Sequence, residues 1–236
     1  MTLIKLNNKL ISFSGKLLSV PDNVIYDGNT VAWYDSTDLS TITKDGSDYV
    51  SLWKDKLNSG HDLIQLTGTS QPKWFNNDGI LFDGTNDFMK TNTFTLIQPT
   101  FIYMVTNVHT PRYYDYFFDG YLNNTGTMLS LDDGLQYYCF AGSPSGFYSD
   151  MIYNSYCIIR VKFNNTNSKV TINNLPNHNF NSGTNNMNGF TLSGMGQSHW
   201  SNLSIQNVKE IILRKVVDTT ENETIIYNYL KNKYNL

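Results

Sequence analysis

The stretch PRYYDYFFDGY, residues 111–121, gathers Tyr113, Tyr114, Tyr116, Phe117, Phe118 and Tyr121 around Arg112, Asp115 and Asp119. This mixture suits glycan recognition. The apolar C–H faces of a sugar ring stack on aromatic rings, while guanidinium and carboxylate groups bind its hydroxyls. The competing reading is a strand and loop whose tyrosines bury their rings and keep their hydroxyls wet. His199-Trp200 lies in a Gly/Ser-rich loop before the last apolar run, where a Trp between polar neighbours is unusual. Arg112, Tyr113, Tyr114, Asp115, His199 and Trp200 are therefore the candidate glycan-binding residues. Asp83, Asn86 and Asp87 place hard oxygen ligands in one turn, which suits calcium; Asp, Gly and Asn are also what a tight hairpin demands.

Other chemistries find little support. A Gly-x-Ser-x-Gly elbow, a P-loop and a dinucleotide fingerprint are all missing, and Gly194-Met195-Gly196 is a lone loop fragment. Cys139 and Cys157 sit inside apolar strand-like runs and read as two reduced, buried thiols. His61, His109, His178 and His199 are scattered, so neither a zinc site nor a catalytic residue set is expected. A net charge of −3 over 236 residues, with no stretch dense in Lys and Arg, argues against nucleic acid. No run reaches the roughly 18 apolar residues of a membrane span.

The elements that must position these residues read as strands. Runs such as TVAWYD, GILFDG, TFIYMVTNV, TMLSL, LQYYCF, SYCIIRVKF, SKVTIN, GFTLSG and VKEIILRKVV recur between Gly/Asn/Asp/Ser clusters. That rhythm predicts an all-β sandwich or barrel. Asn outnumbers Lys and Arg together, which suits a loop-rich β protein because Asn tolerates left-handed backbone. In residues 156–163 the parity is clean, with Cys157, Ile159, Val161 and Phe163 on one face. In residues 100–108 both parities are apolar, the mark of a central strand covered on both sides. Only the C-terminus reads as helix. Asp218, Thr219 or Thr220 is available as N-cap, Glu221 or Glu223 completes a capping box, and Ile226, Tyr229 and Leu230 form the docking stripe.

The segments VAWYDSTDLS (31–40), YVSLWKDKLNSGHDLIQ (49–65), QPKWFNNDGILFDGTNDFMK (71–90) and VKEIILRKVVDTTENETIIYNYLKNKY (208–234) resemble the laminin-G-like branch of the concanavalin A-like lectin/glucanase domains. The resemblance covers residues 24–236. It implies an antiparallel two-sheet jelly-roll sandwich that often binds carbohydrate or protein, and it transfers fold better than function. Glucanase members carry paired glutamates on one strand, because residues at even separation face the same side and stand about 5 Å apart for retaining chemistry. Here the only glutamates are Glu210, Glu221 and Glu223, which form no such pair. Asp115 with Asp119, or Asp132 with Asp133, are explained by turns.

Residues 1–20 lie outside the resemblance and divide the chain into a short β arm and a sandwich domain, 21–236. Lys5, Lys9 and Lys16 break the apolar stretch a secretory signal needs. Asn7-Asn8 and Ser14-Gly15 are turn pairs between very short strands, so a three-stranded meander is expected. Either it is the first edge of the main sheet or it docks on another chain through Leu3, Ile4, Leu6, Ile11, Phe13 and Leu17. Such openings resemble those of phage structural proteins. The resulting expectation is a non-enzymatic virion protein on a capsid fibre, decoration protein or tail, displaying a lectin-like domain on the virion surface. A bacterial cell-surface or extracellular location is the alternative. It would bind other virion proteins through its arm, form dimers or trimers, and need no cofactor beyond a calcium near Asp83. The alternatives are a structural docking module and a polysaccharide-active glycoside hydrolase.

Overall fold

The computed structural model describes residues 4–6, 9–11, 20–109, 112–131, 136–197 and 202–236. Two antiparallel sheets face each other. The back sheet runs in the order His178–Phe180, Ser168–Ile172, Cys157–Phe163, Thr100–Val108, Ile205–Arg214, Gly79–Asp83, Lys73–Phe75. Thr30–Asp35 also pairs with Ile205–Arg214, taking residues 210–214 while Gly79–Asp83 takes residues 205–208. The front sheet runs Gln136–Phe140, Thr127–Leu131, Tyr116–Asp119, Thr191–Leu192, Met89–Lys90, Leu63–Ile64, Val50–Trp53, Ile42–Lys44.

The parity of the strands decides what fills each layer. Ile102, Met104, Ile159 and Val161 from the back sheet meet Trp53, Phe118, Met128, Tyr137 and Leu192 from the front. The opposite face of the same back strands carries Phe101, Tyr103, Val105, Ile158 and Ile212, and on it lie Ile226, Tyr227 and Leu230 of the helix Thr220–Tyr234. This is why residues 100–108 are apolar on both parities. Thr219 is the N-cap, accepting the Asn222 N–H at 3.1 Å, and Asn235 ends the helix in the left-handed region. Asn222 stands where a capping box needs a glutamate, so Glu223 pairs instead with Arg160 and Lys169. A one-turn helix, Asp22–Ile25, adds Val24 and Ile25 to the same layer. Cys139 and Cys157 are free and buried, and burial pushes both thiols up.

Ile4–Leu6 and Lys9–Ile11 form a two-stranded sheet of their own around the Asn7-Asn8 pair. Leu3, Phe13 and Leu17 of the expected docking set lie outside the described residues, as does the third strand of the meander.

One local expectation changes. The turn at residues 83–87 is not a hairpin: Gly79–Asp83 belongs to the back sheet and Met89–Lys90 to the front. The turn carries the chain from one sheet to the other, which puts its polar side chains on the rim of the sandwich.

Candidate functional site

The crossover turn is closed by its own carboxylates. Asp83 Oδ1 accepts the N–H groups of Thr85 at 2.7 Å and Asn86 at 3.3 Å, and Asp87 Oδ2 accepts the Asp83 N–H at 3.1 Å. These bonds give the two aspartates different surroundings. Asp83 is exposed, whereas Asp87 is 7% exposed. Burial, reinforced by the nearby Asp83 charge and only partly opposed by the Asp83 N–H, pushes the Asp87 carboxyl up to about 7. The pair thus sets a proton-holding carboxyl beside an open one, a division of labour that acid and base chemistry uses.

A cleft of about 590 Å³ opens on one side of the turn, lined by Tyr49, Gln71, Lys73, Asp83, Asn86 and Asp87 among others. Tyr49 is brought there by a β-bridge to Lys73, made just before the chain enters the front-sheet strand Val50–Trp53. Tyr49 is 41% exposed, and the Lys73 ammonium lies 5.4 Å from its ring centre. A smaller cleft of about 350 Å³ lies on the other side, sharing Thr85 as its wall and adding Arg112, Tyr113, Asp115 and Asn202. Arg112 ties the two halves together: its Nη2 donates to the Gly84 and Leu203 carbonyls, each at 2.6 Å.

The candidate residues read from sequence therefore separate. Arg112, Tyr113 and Asp115 come together in the smaller cleft. Asp115 is 2% exposed and accepts the Arg112 N–H at 2.8 Å, and burial raises its pKa. Tyr114 sets its ring centre 4.0 Å from that of Tyr113, tilted by 52°, and is 37% exposed. Tyr116, Phe117 and Phe118 are buried strand residues. Asp119 is fully buried, accepting the Thr127 hydroxyl and the N–H groups of Gly120, Asn124, Thr125 and Gly196. It holds a loop and is closed to substrate. His199, Trp200, Asp132 and Asp133 lie outside the described residues. Of the calcium candidates, Asp83 and Asp87 spend oxygens on the turn as above, and among the described residues no cluster of three or more His, Cys, Asp or Glu stands ready for a metal.

Sequence reasoning missed Tyr49, Gln71 and Lys73, which the β-bridge and the sheet edge bring together from separate segments. It also missed a carboxylate pair that sets a glutamate beside an aspartate of another strand. Glu210 and Asp35 stand opposite each other on neighbouring strands, sharing the Lys233 ammonium at 2.6 and 2.8 Å. That pair lies sealed beneath the C-terminal helix, with Tyr229, Tyr234 and Trp33 donating to Glu210.

No family profile matches the chain, and no curated protein matches it by sequence. Solved structures share its fold. A Trypanosoma rangeli sialidase in complex with sialic acid matches at 9% identity with a TM-score of 0.64, covering 97% of this chain and 36% of the sialidase. A GH54 α-L-arabinofuranosidase soaked with a cyclic sulfate inhibitor matches at 13% identity with a TM-score of 0.65, covering 89% of this chain and 64% of the enzyme. The chain thus spans about a third of the sialidase and just under two thirds of the arabinofuranosidase. At such identities the likeness shows the fold, a two-sheet sandwich shared with glycosidases. It also corrects the expectation of a non-enzymatic virion adhesin. The fold's company here is glycoside hydrolases, so the hydrolase alternative fits these findings better, and the phage terms have no support in them.

Proposed function

We propose that this chain is a polysaccharide-active glycoside hydrolase of concanavalin A-like build, working at the crossover turn with Asp87 and Asp83. The observation that carries this reading is the unequal carboxylate pair in a cleft with an exposed aromatic wall. Asp87, with its carboxyl held at about 7, keeps its proton on the acid side of neutrality and gives it to the oxygen of the leaving sugar. Asp83 has Oδ1 committed to the turn. That leaves Oδ2 for the role of charged partner, which activates water or stabilises the cationic sugar. Tyr49 offers a stacking face, and Gln71 and Asn86 supply amides for sugar hydroxyls. The sialidase and arabinofuranosidase likenesses make sialosides and arabinans reasonable members of a substrate panel, with laminarin, agar and capsular glycans beside them.

Reducing-end release from this panel tests the reading. Wild-type protein should turn over at least one polymer, and Asp87→Asn should lose at least about 100-fold in rate while staying folded. Absence of release from every polymer, or release that survives Asp87→Asn, sinks it.

A further inference from the structure

A third cleft, of about 510 Å³, lies at the outer edge of the back sheet, against the end of the C-terminal helix. Trp74, Phe75 and Asn77 wall it from one side, and Lys209, Lys233 and Tyr234 from the other. It is preformed. Gly79 has φ +76°, and a Cβ there would meet the Val208 carbonyl at 2.3 Å, so the turn after Lys73–Phe75 is pressed hard against the strand that carries Lys209.

Two features of this cleft suit it to a ligand. Lys209 has its ammonium 3.8 Å from the Tyr156 ring centre and 5.6 Å from that of Tyr234, and among the described residues it makes no ion pair. Burial lowers its pKa, with the Asp78 charge acting the other way. The Asp78 carboxylate accepts the Tyr156 hydroxyl at 2.8 Å, and Lys233 is committed to Glu210 and Asp35. Lys209 is thus a part-buried cation with aromatic cushions and no anion in contact. The second feature is Phe75, 39% exposed at the cleft mouth.

The same edge connects this cleft to the crossover turn. Lys73 and Phe75 are two residues apart and share a face of their strand. The Lys73 ammonium lies 5.7 Å from the Phe75 ring centre and 5.4 Å from that of Tyr49. Aromatic, cation and aromatic therefore alternate from one cleft to the other. Alternating stacking faces and positive charge match a sugar chain that carries carboxylates.

We propose that the helix-side cleft binds a uronate residue of an acidic polysaccharide, whose chain continues over Phe75, Lys73 and Tyr49 toward the crossover turn. Lys209 takes the carboxylate, Phe75 and Trp74 take the apolar sugar faces, and Asn77 takes a hydroxyl. This rests on the hydrolase reading for what happens at the turn and adds to it the substrate class; the binding itself needs no turnover.

The experiment measures binding of polygalacturonate and of neutral laminarin by titration calorimetry, in an Asp87→Asn background. Polygalacturonate should bind more tightly, and less so as salt is raised. Lys209→Gln should weaken that binding about tenfold, as loss of a charge-assisted contact does, while Lys209→Arg should keep it. Phe75→Ala, at an exposed ring, should weaken it too and keeps the test open whatever Lys209→Gln does to folding. Equal affinity for the two polymers, or polygalacturonate binding untouched by both Lys209→Gln and Phe75→Ala, overturns the proposal. Reducing-end release by the same Lys209 and Phe75 variants with Asp87 intact is read in parallel. Asp87-dependent release without the Lys209 effect would leave the hydrolase standing and remove this site, and the Lys209 effect without any release would do the reverse.

Discussion

Replacing Asp87 by Asn should make the protein more stable, and only above acidic pH. The ordinary carboxyl value of 3.8 is the unfolded reference, and in the fold Asp87 is held at about 7. Below the lower value both states carry the proton. Between the two, the folded state keeps a proton the unfolded state has lost, so stability falls by about 1.4 kcal/mol per pH unit. Above the higher value both states are ionised and the full penalty applies, about 4 kcal/mol as an upper bound because the cleft admits water. Asparagine keeps the acceptor that the Asp83 N–H uses and cannot ionise. The variant should therefore match wild type near about pH 4 and exceed it by about 2–4 kcal/mol near about pH 8. For a chain of this size that is roughly 5–15 °C in melting temperature. Urea denaturation of both proteins at about pH 4, 6 and 8 measures the difference. A gap that does not change with pH, or a less stable variant at about pH 8, would show that Asp87 is not held protonated, and the general-acid role would go with it. A stabilised but inactive variant is what a strained working group predicts.

Arg214 is fully buried and binds Asp218, Asp27, the Val24 carbonyl and the Thr30 hydroxyl; Arg214→Met should cost about 3–5 kcal/mol, read by denaturant titration, because Asp218 is left buried without its partner. Gly79→Ala should destabilise by about 1–3 kcal/mol, since the backbone is left-handed and the new Cβ would strike Val208. Burial opposes ionisation of Asp35, yet Lys233 and Lys56 hold it down to about 2, so its contribution is complete above its ordinary value and fades as pH falls toward 2; Lys233→Met should make acid unfolding begin at higher pH, followed by tryptophan fluorescence. Deletion of residues 1–19 should leave a folded sandwich by circular dichroism, since among the described residues Ile4–Leu6 and Lys9–Ile11 pair only with each other, and light scattering should show loss of assembly.

What the sequence determined by itself was the fold and its layering. Alternation in residues 157–163 marked a half-buried strand, double apolarity in residues 100–108 marked a strand covered on both sides, and the Ile226/Tyr229/Leu230 stripe marked a helix that docks on a sheet; the structure makes that helix the second cover of residues 100–108. These are local periodicities, and burial on one face writes them directly into the chain. The aromatic run at residues 111–121 carried no such clarity. Tyr113 and Tyr116 have the same chemistry in sequence, and only the strand pairing buries one and exposes the other. The candidate site was less legible still. Asp83 and Asp87 were visible as turn residues, but their inequality comes from which of them the sandwich rim buries. Lys73 and Phe75 share a face by strand alternation, but Tyr49 joined them only because an isolated bridge ties the two sheets at that edge. Long-range pairing chooses partners by the shape of the whole core, and no window of the sequence contains that information.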